Sequence, residues 1–360
     1  MRGLRKYLTP FAPDQSGAVS VLYELGGIVV ICDAGGCTGN ICGFDEPRWH
    51  TVRSAVFSAG LRDMDAIMGR DDKLVEELAD AAGKIAAGFA AIVGTPVPSV
   101  IGTDYRALRR LAERKLDIPV LTIDTTGMDL YDTGAEKTYE ELFRRFAKEQ
   151  FETVPGRVGV LGVNPLDMSD IHAADRITAR IPGAVCYGMQ SAAGEGTGLT
   201  DIIRASSAEK NIVAAPSGLK AAKLLEERFG TPYEIYDPAA ESILGEALAA
   251  QAPDTDIPGK RILIIDQQVR ANTMRDLLAK RGAAAVDCAT WFLQLTALSR
   301  PGDVKLKEED DLEMLVKSGN YDILICDNAL IRIVKDHAGI AVDIPQFPVS
   351  GRLGGDSCGR

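Results

Sequence analysis

Three of the chain's seven cysteines fall within eleven residues, on a glycine-rich stretch near the N-terminus. Cys32, Cys37 and Cys42 follow the apolar run 27–31, with four residues between neighbours. Cysteine thiolates are soft ligands that suit iron–sulfur clusters, zinc or copper(I). The glycines of this stretch, Gly36 among them, permit backbone conformations that let a bulky group approach closely. The stretch therefore predicts a thiolate-bound metal site that Gly36 helps to line.

The spacing of the cysteines argues against a complete metal site within one chain. Ferredoxin and zinc-ribbon sites have two residues between neighbouring cysteines, whereas four residues separate them here. The other four cysteines do not complete the set. Three lie in predicted strands, where cysteine acts as a small buried hydrophobic residue, and one lies in the C-terminal tail: Cys186, Cys288, Cys326 and Cys358.

A two-fold dimer would present the same stretch twice, so two thiolates per chain would make four. We predict Cys37 and Cys42 as this pair of ligands. Cys32, whose side chain we expect to point into the sheet, is a further candidate ligand. The spacing leaves two alternatives open: the thiols only pack, or Cys37 alone binds the metal.

The elements that must position these residues follow from the apolar pattern. Short apolar runs alternate with amphipathic segments, which is typical of parallel strands covered by helices on both faces. The predicted strands are 27–32, 89–94, 119–123, 157–162, 184–188, 211–214, 261–266, 284–288 and 322–326. The predicted helices are 71–86, 104–115, 134–151, 217–229, 271–281 and 308–318. The pattern predicts an α/β fold.

Two stretches rich in turn-forming residues, 152–156 and 251–259, divide this pattern. A chain of 360 residues is also too long for one ordinary core. We predict three Rossmann-like domains with parallel sheets, over residues 1–153, 154–256 and 257–360. Ligands of open parallel sheets bind beyond the carboxyl ends of the strands, and Cys32 ends the first predicted strand. The first domain should therefore hold the site.

Composition limits the classes of partner. The net charge of −11, with no basic stripe, argues against nucleic-acid binding. The sequence has no run of 18 apolar residues and no apolar core of a secretory signal, so we expect a cytoplasmic protein without a membrane segment. An odd number of cysteines in such a chain favours reduced thiols over disulfides.

Three segments of the first predicted domain occur in an order that is found in a known family. They are Cys-Asp-Ala-Gly-Gly-Cys at 32–37, Arg-Ser-Ala-Val-Phe-Ser-Ala-Gly at 53–60, and the stretch from Phe89 to Asp104. In this order they resemble the first domain of the nitrogenase component 1 superfamily. Its pattern is a His-Gly-x-x-Gly-Cys turn, a Val-Phe-Gly-Gly segment and a Thr-Thr-Cys…Val-Ile-Gly-Asp-Asp strand end. Three further segments of this chain resemble the later domains of that superfamily: residues 194–198, 211–217 and 344–348.

The resemblance implies three Rossmann-like domains, and it implies that Cys37 ligates a bridging iron–sulfur cluster. Pro96 stands where the family has a second ligand cysteine. The N-terminal ligand position falls near Asp14, which would act there as a carboxylate ligand or simply form a turn. The cysteine that anchors the iron–molybdenum cofactor in the family's catalytic subunit is matched by Ala215, which argues against dinitrogen reduction.

What remains resembles the smaller nitrogenase-like component 1 proteins, including reductases of tetrapyrroles. The resemblance implies a homodimer, a [4Fe–4S] cluster shared across its interface, a small-molecule substrate and a separate, ATP-hydrolysing iron protein. The chain has no Gly-x4-Gly-Lys-Ser/Thr motif, so ATP hydrolysis would belong to that partner. Two alternatives remain: a cluster or cofactor-assembly scaffold without turnover, and a small-molecule binding module that has lost its metal.

Gly194 and Thr197 precede a predicted helix that begins near Thr200. The first N–H groups of a helix can hold an anionic group, so we predict that Gly194 and Thr197 contact the cofactor or the substrate. The segment is not a Gly-x-Gly-x-x-Gly motif after a strand, so a nicotinamide site is not indicated.

Overall fold

A computed structural model describes residues 5–192 and 198–354 of the chain. Its strands form three separate sheets, and every pairing between the strands of the described residues is parallel. The central strands are buried on both faces, as their continuous apolar sequences require. The predicted α/β fold with parallel sheets is therefore confirmed.

The first sheet has the strand order β2-β1-β3-β4. Its strands are β1 (Ile28–Ile31), β2 (Ala55–Ser58), β3 (Ala90–Val93) and β4 (Val120–Ile123). The helices along this part of the chain are α1 (Asp14–Leu22), α2 (Gly36–Asn40), α3 (Asp63–Met68), α4 (Asp71–Ala82), α5 (Pro96–Ile101), α6 (Tyr105–Glu113) and α7 (Tyr131–Phe146). A π-helical turn, Ile41–Asp45, continues α2.

The second sheet has the order β6-β5-β7-β8. Its strands are β5 (Val158–Leu161), β6 (Ala184–Cys186), β7 (Lys210–Val213) and β8 (Tyr233–Ile235). Its helices are α8 (Pro165–Met168), α9 (Ala173–Arg180), α10 (Leu199–Ile203), α11 (Leu219–Phe229) and α12 (Ala240–Gln251), with 3-10 turns at Ala205–Ser207 and Pro216–Gly218.

The third sheet has the order β11-β10-β9-β12-β13. Its strands are β9 (Arg261–Ile265), β10 (Ala285–Thr290), β11 (Val304–Lys305), β12 (Ile323–Cys326) and β13 (Ile340–Asp343). Its helices are α13 (Gln268–Lys280), α14 (Glu309–Gly319), α15 (Asn328–Ile331) and α16 (Phe347–Ser350), with a 3-10 turn at Thr296–Leu298.

Two long-range features join the sheets. Helix α1 is buried along its whole length and packs on α7, and α7 in turn packs on α11 of the second sheet. The segment before α1 packs against the third sheet's elements, because the Glu309 carboxylate accepts hydrogen bonds from the backbone N–H groups of Lys6 (2.7 Å) and Leu8 (2.8 Å). Along the chain, each predicted domain boundary, after residues 153 and 256, falls between the elements of one sheet and those of the next. Among the helices described, none is both long and apolar enough to cross a membrane.

Candidate metal centre on the cysteine turn

Residues 32–45, called the cysteine turn below, leave the carboxyl end of β1 between its neighbours β2 and β3. Gly35 has φ +113°, a conformation that side chains disfavour, and it is the N-cap residue directly before α2. The π-helical turn follows directly, and Glu46 N–H closes it on the carbonyl of Ile41 at 2.9 Å. Such widened turns occur frequently at functional sites. The chain therefore changes direction sharply where ligands of parallel sheets bind.

Cys37 lies on α2 and Cys42 on the π-helical turn, and both thiols are half-buried against the core between the first two sheets. Burial raises the pKa of the Cys37 thiol and Asp33 raises it further, while a hydrogen bond with the Thr95 hydroxyl lowers it. Burial also raises the pKa of the Cys42 thiol, followed by the charges of Glu46 and Asp33. Unbound, both thiols are thus held in their neutral form, and a bound cation would have to displace two protons.

The outer side of the cysteine turn is open. A side-chain carbon placed on Gly36, Gly39 or Gly43 would meet no other atom within 4 Å. Gly36 opens α2 and is exposed beside Cys37. This part of the turn leaves the space that a bulky group near the two thiols would need.

Cys32 lies apart from the other two thiols. Its side chain is 4% exposed and packs in the cluster on the opposite face of the first sheet, together with Ile28 and Val30. Burial raises the pKa of the Cys32 thiol to about 12. The expectation that Cys32 points into the sheet agrees with this position, and the structure does not bring Cys32 together with Cys37 and Cys42.

Asp14, the first residue of α1, is fully buried. Its carboxylate oxygens accept hydrogen bonds from the backbone N–H groups of Thr126 (2.8 Å) and Gly127 (2.7 Å), on the loop after β4. Burial raises the pKa of Asp14, and these two N–H groups oppose that rise. Both oxygens therefore fasten α1 to the loop in this conformation.

The remaining predicted site residues are Gly194 and Thr197, which lie outside the described residues. Within the ranges 5–192 and 198–354, no group of three or more histidine, cysteine or acidic side chains is arranged to hold a metal ion. One chain thus places two thiols of the predicted set, Cys37 and Cys42, on the same turn.

Asp33 is a residue of this region that the sequence did not single out. Its side chain is 1% exposed and follows Cys32 at the end of β1. One carboxylate oxygen accepts the Thr38 N–H at 2.8 Å, and the other accepts the hydroxyls of Thr38 (2.9 Å) and Ser58 (2.6 Å). The sequence signal that could have identified Asp33 is an acidic residue directly after a buried strand and next to a cysteine.

Apolar side chains are exposed around the same edge of the first sheet. Phe44, on the cysteine turn, is 76% exposed, and Val100, on α5 after β3, is 86% exposed. Met128, in the loop after β4, and Ile67, on α3 after β2, are exposed to a similar degree. Exposed apolar groups that cluster at one edge are typical of a surface that a partner covers.

A second polar region lies between the second and third sheets. Arg270 is 1% exposed, and its Nε donates to Asp237 at 2.7 Å, while its Nη2 donates to the Asp167 carbonyl at 2.9 Å. Arg270 also lines a cavity of about 200 Å³ whose apolar walls include Ile243 and Ile344. A cavity with apolar walls and a few polar groups suits a small ligand.

Comparison with known proteins identifies the fold and the family. The model of the family described as nitrogenase component 1 type oxidoreductase matches residues 16–292, more than half of the chain. Two solved structures titled "Nitrogenase Cp1" are similar. The one at pH 6.5 has 13% identity, a TM-score of 0.71, and coverage of 98% of this chain and 89% of that chain.

The one at pH 5 has 16% identity, a TM-score of 0.66, and coverage of 95% of this chain and 84% of that chain. At such identities the likeness establishes the fold alone. No match is found among curated proteins. The family match supplies the remaining step: this chain belongs to the nitrogenase component 1 type oxidoreductase family.

Proposed function

We propose that the chain is a nitrogenase-like component 1 reductase subunit that works as a homodimer. Cys37 and Cys42 of both copies would hold one [4Fe–4S] cluster at the interface. The observation that carries this proposal is the pair of half-buried thiols on one turn, at the carboxyl end of a central strand and beside exposed apolar side chains.

The donor set fits such a cluster. Iron–sulfur clusters are held by cysteine thiolates, and a two-fold axis near the turn would supply two from each copy. The open space beside Gly36, Gly39 and Gly43 leaves room for the cluster and for a second turn. When bound, the cluster would pass single electrons. The chain's own residues would hold it, and the covering partner would exclude water from it.

By the family's pattern, a separate iron protein that hydrolyses ATP would deliver the electrons, in the cytoplasm. The acceptor would be a small molecule, and a tetrapyrrole is the substrate class to test first. Tetrapyrrole reduction that requires this chain, the iron protein and ATP together would separate an enzyme from an assembly scaffold.

The first experiment is an anaerobic analysis of iron and sulfide together with the mass in solution. We expect a dimer with about two irons per chain, because four thiolates hold one four-iron cluster. Cys37→Ala should lose the iron, whereas Cys186→Ala, which removes a thiol at the end of β6 in the second sheet, should keep it. A metal-free monomer, or equal iron in both variants, would contradict the proposal.

A second candidate function is a small-molecule binding module without metal. Pro96 begins α5 where the resemblance expects a ligand cysteine, and the cavity lined by Arg270 and Ile243 offers a different place for a ligand. This candidate predicts a colourless protein in which Cys37→Ala behaves like the wild type.

A further inference from the structure

Asp33 is a buried acid whose carboxylate is satisfied by neutral groups. Its donors are one backbone N–H and two hydroxyls, from Thr38 and Ser58. Within the described part of the chain it forms no ion pair. Burying a carboxylate without a countercharge costs free energy.

Asp33 lies near enough to the cysteine turn for its negative charge to affect two thiols. Its charge raises the pKa of the thiols of both Cys37 and Cys42. Glu46, the other acid near Cys42, is paired with the buried Arg48 at 2.7 Å, and Arg48 also pairs with Glu24 at 2.8 Å. Asp33 and Asp45, which accepts hydrogen bonds from Ser16 and Asn40, thus form no ion pair within the described residues. Of these two acids, Asp33 is the one whose charge raises the pKa of both thiols.

Asp33 also fixes the geometry of the turn. The Thr38 N–H that it accepts belongs to the residue after Cys37, and Ser58 ends the neighbouring strand β2. From the other side, the Thr95 hydroxyl, after β3, donates to the Cys32 carbonyl at 2.6 Å. Side chains at three adjacent strand ends thus hold the start of α2 and the thiol that it carries.

We infer that Asp33 is a positioning residue that orients Cys37 and lowers the reduction potential of the group held on the cysteine turn. This inference rests on the proposed function. Cluster potentials depend on the net charge and the hydrogen bonds around the sulfur ligands. A fixed negative charge in a poorly solvated place disfavours the added electron, so the oxidised form gains relative to the reduced one.

The test is the midpoint potential of the anaerobically purified dimer, measured by a dye-mediated redox titration followed by absorbance and electron paramagnetic resonance. Asp33→Asn keeps the shape and one acceptor oxygen but removes the charge, so we expect a more positive potential at unchanged iron content. Ser58→Ala removes one hydrogen bond and keeps the charge, so its potential should stay close to the wild-type value.

A second pair of variants guards against misfolding of Asp33→Asn. Ser58 is exposed, so Ser58→Lys can place an ammonium group beside the Asp33 carboxylate without disturbing the core. Ser58→Gln is its neutral control. We expect a more positive potential in Ser58→Lys than in Ser58→Gln.

The outcomes separate the two claims. Wild-type protein without iron overturns the proposed function and, with it, this inference. If the wild type contains iron and Asp33→Asn has the same midpoint potential, only this inference is overturned. The same holds if Ser58→Ala changes the potential as much as Asp33→Asn does. Equal potentials in Ser58→Lys and Ser58→Gln would overturn it as well.

Discussion

Gly17 and Gly134 lie where α1 and α7 approach each other closely, each facing the backbone of the other helix. A side-chain carbon on Gly17 would overlap the carbonyl oxygen of Tyr131, and one on Gly134 would overlap the carbonyl oxygen of Asp14. The contact sets the position of Asp14, and therefore the anchoring of the loop after β4, because Asp14 is the first residue of α1.

Replacement of Gly17 by alanine should destabilise the chain. The added carbon must push α1 away from α7, and overpacking of this kind typically costs about 1–3 kcal/mol. The check is the shift of the midpoint of chemical denaturation. Gly245→Ala, inside α12, is the control, because a carbon there meets no atom within 4 Å. We expect Gly245→Ala to be neutral or to stabilise by about 0.5–1 kcal/mol, and equal effects of the two variants would contradict the contact.

Arg270→Leu should be strongly destabilising. It would leave the Asp237 carboxylate, which is as buried as Arg270, without its partner at 2.7 Å. It would also leave Asp266, 3.7 Å from Arg270, without a cation. Breaking a buried pair on one side costs about 3–5 kcal/mol.

The control for Arg270→Leu is Lys84→Leu, which breaks the exposed pair of Lys84 with Asp80. Exposed pairs contribute about 0–1 kcal/mol. Arg270→Leu should therefore lose several times more free energy of unfolding than Lys84→Leu. Similar losses would show that the Arg270 cluster is not a compensated buried pair.

Asp167 predicts a pH dependence of stability. Burial is the largest cause that raises its pKa to about 7, while the hydroxyl of Ser217 and the amide of Asn164 oppose the rise. In the unfolded chain an aspartate titrates near 3.9. Between these values the folded chain keeps a proton that the unfolded chain releases, so stability falls as pH rises from about 4 to about 7.

Asp167→Asn removes that titration. Relative to wild type, the variant should gain stability as pH rises through this window, by at most about 1.4 kcal/mol per pH unit, and the gain should level off above about pH 7. The measurement is the free energy of unfolding of both proteins in urea at several pH values. A difference between them that stays constant from pH 4 to pH 7 would contradict the raised pKa.

Much of the fold could be predicted because buried parallel strands leave a continuous apolar signal. All nine predicted strands are present. The four that were missed, β2, β8, β11 and β13, each lie at the edge of a sheet. An edge strand is covered less completely, so its sequence mixes polar with apolar residues, as in Tyr233–Ile235. Short helices such as α5 and α8 were missed because tertiary packing, and not a helical period, stabilises them.

The site was less predictable because its geometry depends on contacts between distant segments. The turn position of Cys37 and Cys42 followed from the strand that precedes them. The anchoring role of Asp14 did not, since Thr126 lies 112 residues away along the chain. Asp33 was missed for the same reason, because Ser58 meets it only once β1 and β2 pair.

The exposed apolar edge of the first sheet predicts which surface the second copy would cover in the proposed homodimer. Phe44 follows Cys42 on the turn, and Val100 projects from α5 after the neighbouring strand β3. A charge at the centre of an apolar contact would have to be desolvated on association. Phe44→Glu and Val100→Glu should therefore each raise the dissociation constant of the dimer by at least about tenfold, which corresponds to about 1.4 kcal/mol.

Sedimentation equilibrium under anaerobic conditions measures this constant. Met314→Glu is the matched control, since Met314 is 61% exposed on α14, beside the third sheet and away from the cysteine turn. It should leave the dimer intact. If Met314→Glu separates the copies while Phe44→Glu does not, the interface lies elsewhere, and the thiols of the two turns cannot share a cluster.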